Sequence, residues 1–248
     1  MGILNVTPDS FADGGKHNDF ESAVARGLEM IAEGVDIIDI GGESTRPGAD
    51  RVSEVEEIAR TIPVIKELAK HGVQISIDTM RASTANAAID AGASIINDVS
   101  GGLADPLMLQ TAAALKVPYI AMHWRGQSKD MNSKAIYGDV VSDVISEIQE
   151  RVDAALDSGI SRDKLIIDPG LGFAKDADHN WAIIDAIDQF VDMGYPVLVG
   201  ASRKRFLGGD SPDEREQATI NLTKRLAPTG VWAVRVHSVK PHKEVLSA

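Results

Sequence analysis

Arg235 and His237 stand two residues apart in VWAVRVH, a run that is otherwise apolar. On a strand that spacing turns both side chains to one side. A guanidinium fork and an imidazole meeting there suit an anion, phosphate above all. Upstream, Ser202, Arg203, Lys204 and Arg205 follow another apolar run, PVLVG. A helix starting near Ser202 would add main-chain N–H groups and a favourable dipole for the same anion. Solvated surface charge would also account for Ser-Arg-Lys-Arg, but it accounts poorly for Arg235 and His237. A second set is acidic or amide: Asp78 ends QISID, Asn97 lies in SIIND, and Asp168 ends LIID before Pro169 and Gly170. One such group alone reads as a helix N-cap. Three of them converging suit a flat, nitrogen-rich heterocycle, with carboxylates and an amide meeting ring N–H and amine groups. A third region, GGESTRPGA (41–49), sets Thr45 and Arg46 among glycines after a strand, fitting a loop that carries an anion-binding arginine.

These groups need a scaffold that brings strand ends together. Short runs rich in Ile and Val recur at 2–6, 35–40, 73–78, 94–99, 117–122, 164–168, 196–200 and 231–237. That is the pattern of parallel strands covered on both faces. Amphipathic stretches separate them. One places Phe20, Val24, Leu28 and Ile31 on a single face, and another places Val140, Val144, Ile148, Val152 and Leu156 at steps of four. Gly34, Gly72, Gly92, Gly159 and Gly194 stand where helices should stop. Eight strand-then-helix units in 248 residues give the arithmetic of an α/β (β/α)8 TIM barrel, a single domain over 1–248. A doubly wound open sheet shares the local pattern, but no glycine-rich dinucleotide or Walker loop appears. In a barrel the polar residues at strand ends, from Asn5 through Asp39, Asp78, Asn97 and Asp98 to Met122 and His123, would face one mouth.

Composition narrows the class. The formal net charge is −12, which argues against a general nucleic-acid or membrane-surface binder. Cysteine is absent, so disulfides and thiolate metal sites are excluded. No leader and no membrane-length apolar run is evident, and a cytoplasmic enzyme is expected. No His pair at helical spacing suggests zinc; a metal here would be Mg²⁺-like, held by oxygens and substrate phosphates.

With these residues assembled, the chain resembles the dihydropteroate synthases of the folate pathway. NVTPDSFADGG, GGESTRPG, SIDT, INDVSGG, DPGLGFAK, GASRKRFLG and RVH match that family's motifs in order, and MHWRG and HNWAI have an actinobacterial flavour. The resemblance implies substrates of 6-hydroxymethyl-7,8-dihydropterin pyrophosphate and p-aminobenzoate, with sulfonamides as competitors. It implies that Asp78, Asn97 and Asp168 meet the pterin's nitrogen edges, that Lys204 lies on its carbonyl side, and that Met122 and Phe173 pack nearby. It implies that Asn5, helped by Asp13, binds Mg²⁺, and that Arg46, Arg235 and His237 hold pyrophosphate. Phe11, Thr45, Pro47, Ser202 and Lys204 would shape the p-aminobenzoate site, and the chain would form a homodimer. Two departures stand out: the last helix looks short, which would weaken that dimer, and Ser238 follows His237 where the family commonly has Asp. A pterin-binding methyltransferase of the corrinoid type is the rival enzyme, but it needs no pyrophosphate site. A catalytically silent paralogue that binds a folate precursor is the rival outside catalysis. The retained Glu43-Ser44-Thr45-Arg46 favours the active form.

Overall fold

The computed structural model describes residues 1–7, 15–43, 52–127 and 131–247, and for 15–19 and 131–132 it describes the backbone alone. Among these residues, eight parallel strands appear where the apolar runs stand: β1 Gly2–Asn5, β2 Ile37–Gly41, β3 Gln74–Asp78, β4 Ile95–Asp98, β5 Tyr119–Met122, β6 Leu165–Asp168, β7 Leu198–Val199 and β8 Ala233–Val234. β1 to β6 pair in chain order, and β7 pairs with β8. Single bridges, Ile167 with Val197 and Gly2 with Val236, join the two groups at both seams. The ring is therefore closed, a (β/α)8 barrel.

Helices α1 Gly15–Ala32, α2 Glu54–Leu68, α3 Ala82–Asp90, α4 Met108–Leu115, α5 Val140–Asp157, α6 Ala177–Asp185, α7 Ile187–Val191, α8 Glu214–Leu226 and α9 Lys240–Leu246 surround it. The anticipated stop glycines all have positive φ, from 73° at Gly72 to 116° at Gly92. In α5, Val140, Val144, Ile148 and Val152 are buried as the spacing predicts, with Ala155 taking the last inward place rather than Leu156. In α1, Phe20, Val24 and Ile31 pack against the core as the spacing predicts, but Ala23, Gly27 and Met30 take the buried places and Leu28 is 37% exposed. The cause is close packing: a Cβ at Gly27 would lie 2.5 Å from Leu68 Cδ1 of α2, so the helix turns its smallest residues inward.

Strand alternation sorts the barrel interior into layers. Met1, Ile37, Ile95, Ile120, Ile166 and Leu198 form an apolar floor with Ala233 against it. Two residues further along, the same inward face carries Asp39, Asn97, Met122, Asp168, Gly200 and Arg235. Side chains of opposite parity, such as Ile38, Ile40, Ile75, Ile77, Ile96 and Ile167, form the main core beneath the helices. Hydrophobic burial thus fixes the register, and the register lifts the polar groups to the mouth.

Candidate active site

At the C-terminal rim, Asn5 pairs with Gly41, Gly41 with Asp78, and Asp78 with Asn97, so four neighbouring strands end at one level. Met122 is in register with Asp168 across β5 and β6. Gly41 and Gly200 keep this level open: a Cβ at Gly41 would meet the Asp78 side chain at 3.5 Å, and one at Gly200 would meet Asp168 Oδ2 at 3.8 Å.

Arg235 spans the bottom of the pocket. Its Nε donates to Asp39 Oδ2 at 2.5 Å and its Nη2 to Asp78 Oδ2 at 2.7 Å. These bonds use two of the guanidinium's five N–H groups. Asn97 Nδ2 donates to the same Asp39 oxygen at 3.0 Å, which leaves the amide's carbonyl oxygen as its acceptor. Asp39 is wholly buried, and its Oδ1 has no hydrogen-bond partner among the described residues. Burial raises the Asp78 pKa to about 7; Arg235 opposes this and the Asp39 charge adds to it. Asp168 is likewise raised by burial, against the pull of a 2.7 Å bond from Gly170 N–H and of the Lys204 charge.

Lys204 donates to the Leu171 carbonyl, and its ammonium lies 4.7 Å from the Phe173 ring centre. Burial brings its pKa down to about 8. Met80, Val99 and Met122, with Ala104, Trp124 and Phe173 against them, form a small apolar wall above the carboxylates. Ser202 Oγ and His237 Nδ1 are 2.9 Å apart, joining the ends of β7 and β8.

The four residues of the Ser-Arg-Lys-Arg run go separate ways. Arg203 turns to Glu216 at 2.6 Å and to Ser238 Oγ at 2.8 Å, while Arg205 is exposed. No α-helix begins near Ser202, contrary to expectation. A 3-10 turn, Arg205–Leu207, follows, and α8 starts only at Glu214, where Ser211 Oγ accepts the Glu214 N–H. With Arg203 left-handed at φ 58°, the chain reverses here rather than coiling. Asp98 does not join the pocket either. It points away from the lumen and accepts from Tyr119 Oη, from Ser100 N–H and Oγ–H, and from Gly102 N–H.

Phe11, Asp13, Thr45, Arg46 and Pro47 lie outside the described residues. Among those described, no group of three or more His, Cys, Asp or Glu side chains could hold a metal. Asn5 ends β1 on the inward register and offers one neutral carbonyl oxygen. That fits Mg²⁺, which takes one or two protein oxygens and completes its shell with phosphate and water.

Sequence reasoning places Asp39 at a strand end without giving it a role, although its position two residues after Ile37 and two before Gly41 puts it on the inward parity. It also misses Lys175, the last residue of DPGLGFAK, and the buried Glu57. Glu57 takes hydrogen bonds from Thr79, Arg81 and Thr84. No periodicity flags a glutamate whose partners are distant in the chain, or a lone lysine that binds the carbonyls of its own turn and a distant histidine.

The model of the family described as pterin binding enzyme matches residues 1–237. The chain belongs to the pterin-binding enzyme family. Within the family it is 48% identical to the dihydropteroate synthase of Mycobacterium leprae, covering 99% of this chain and 90% of that protein. The Xanthomonas albilineans dihydropteroate synthase solved with 4-aminobenzoic acid superposes with a TM-score of 0.94 at 42% identity, over all of this chain and 90% of that one. The same enzyme solved with 7,8-dihydropteroate gives 0.90 at 38% identity, with the same coverage of both chains. No helix among the described residues is long and apolar enough to cross a membrane.

Proposed function

We infer that the chain condenses 6-hydroxymethyl-7,8-dihydropterin pyrophosphate with p-aminobenzoate, releasing pyrophosphate and forming 7,8-dihydropteroate. The observation that carries this reading is the level of Asp78, Asn97 and Asp168 above an apolar floor, with Arg235, His237 and Lys204 beside them. The pterin lies across that level. Asp78 and Asp168 accept from its ring N–H and amine groups, and Asn97, its Nδ2 end turned to Asp39, presents its carbonyl. Lys204 meets the pterin carbonyl, and Met122 and Phe173 cover the ring. Arg46, Arg235 and His237 hold the pyrophosphate oxygens. Phe11, Thr45, Pro47 and Ser202 shape the p-aminobenzoate site, where sulfonamides compete.

The C–O bond to pyrophosphate breaks first, leaving a methylene cation conjugated with the electron-rich dihydropterin. Buried carboxylates at Asp78 and Asp168 stabilise that positive charge, and the cationic residues stabilise the departing negative charge. The aniline nitrogen then donates its lone pair to the methylene, forming the C–N bond, and loses one proton. Asn5 and Asp13 would hold Mg²⁺, which when bound neutralises charge on the leaving group. No general base is required, because aniline is nucleophilic while neutral. The active form in solution is a homodimer, and the compartment is the cytoplasm.

A pyrophosphate-release assay with both substrates and Mg²⁺ tests the reading. Turnover that depends on p-aminobenzoate is the expected result. Tight pterin binding without turnover would make the chain a silent binding protein. Arg46→Ala should lose turnover while binding the unphosphorylated pterin as before; equal loss of both would remove Arg46 from the anion site.

A further inference from the structure

Lys175 is an expensive residue for its position. It is only 8% exposed, and burial holds its pKa well below the usual lysine value. Its ammonium touches no carboxylate among the described residues. Its three N–H groups go instead to Gly170 O at 3.1 Å, Phe173 O at 3.1 Å and His123 Nδ1 at 2.8 Å. A methionine would fill the space of the stem without the desolvation of a charge. The charge is therefore tied to what it holds.

It holds the turn between β6 and α6. Gly170, Gly172 and Ala174 all have positive φ, so the backbone there departs from any regular element. Gly170 donates to Asp168 Oδ1, and Phe173 carries the ring that faces Lys204. Both carbonyls that Lys175 grips thus belong to residues that set the pterin half of the pocket. A charged donor to a backbone carbonyl is stronger than a neutral one, and a single ammonium fixes both positions.

His123 orients Lys175. Because Lys175 donates to Nδ1, the imidazole proton sits on Nε2, which donates to Glu147 Oε2 at 2.9 Å on α5. Arg125 holds the same carboxylate. Burial brings the His123 pKa down to about 4, so the ring stays neutral and able to accept. The other groups facing this cluster are Asp168, Lys204 and Tyr137; Tyr137 donates to Ala174 O.

We propose that Lys175 is a positioning residue for the pterin: with His123 and Glu147 it fixes the turn that presents Phe173 and Asp168. This rests on the pterin assignment above. Lys175→Met should raise the KM for the dihydropterin pyrophosphate tenfold or more and leave that for p-aminobenzoate within twofold. Lys175→Arg should recover part of the loss. Glu147→Gln, on a half-buried helix face, should raise the pterin KM several-fold in a protein that melts like the unaltered chain. A Lys175→Met protein that is merely less stable, with both KM values unchanged, would overturn the proposal. If that variant does not fold, an unchanged pterin KM in Glu147→Gln overturns it instead. Nitrogen-15 shifts of His123 provide a readout that needs no substrate: the Nδ1 signal should lose its hydrogen-bonded shift in Lys175→Met, and its persistence would exclude the Lys175 contact. An unaltered chain with no affinity for the dihydropterin pyrophosphate would defeat the pterin assignment, while these shifts still decide whether Lys175 and His123 are joined.

Discussion

Asp39 and Asp78 share one guanidinium, and that arrangement sets the electrostatics of the pocket. Asp39 is deeper and takes two hydrogen bonds on one oxygen, so Arg235 and Asn97 are both pinned from below. Asp78 keeps the upper position, facing the substrate, with its pKa raised by burial. Asp78→Asn should lower kcat by roughly a hundredfold, the scale of removing one charge-stabilising group, with the far-ultraviolet circular dichroism unchanged. A rate like that of the unaltered chain would remove the cation-stabilising role. The pH profile should show the same chemistry. Asp78 must be ionised, so kcat/KM should rise with pH through about 7; Lys204 must be charged, so it should fall again through about 8. Lys204→Arg should move only the upper limb.

At the scale of elements, apolar runs and glycine stops were legible because each is a local signal. All eight strands and the stop glycines appear where the sequence places them. The rim residues Asn5, Asp78, Asn97 and Asp168 were legible for the same reason: each lies at the end of a strand. Features that depend on neighbours in space were not. Leu28 looked inward by spacing, yet α1 turns Gly27 to Leu68 because the helices approach closely. Gly27→Val should therefore destabilise the protein by roughly 1–3 kcal/mol through overpacking, read from denaturant midpoints. Lys175 was invisible because its partners are His123, 52 residues away, and two main-chain carbonyls of its own turn, neither of which a residue pattern shows. Its relay carries a stability signature as well. The His123 pKa is lowered in the fold, so the unfolded chain binds the proton first as pH falls. The stability this group contributes is complete above about 6.5 and is lost toward about 4. The Glu147 pKa is lowered to about 2, so its contribution is complete above the ordinary glutamate value and is lost on further acidification. His123→Gln should flatten the pH dependence of the urea midpoint in the upper window, and Glu147→Gln should remove the lower one.

For the molecule as a whole, the proposed homodimer is open to a direct test: sedimentation velocity should find a dimer, and a single monomeric species at every concentration would refute it. The barrel's closing seam bears on how the molecule comes to exist. Ile3 N–H donates to Val236 O at 2.8 Å and Val236 N–H to Met1 O at 3.0 Å, so the first and last strands complete each other. A nascent chain emerging from a ribosome therefore carries β1 as an open edge until β8 has been made, a template for wrong pairings. The eighth strand both finishes the pocket, through Arg235, and ends that exposure. Acquisition of function and escape from aggregation are then one event in the birth of each molecule.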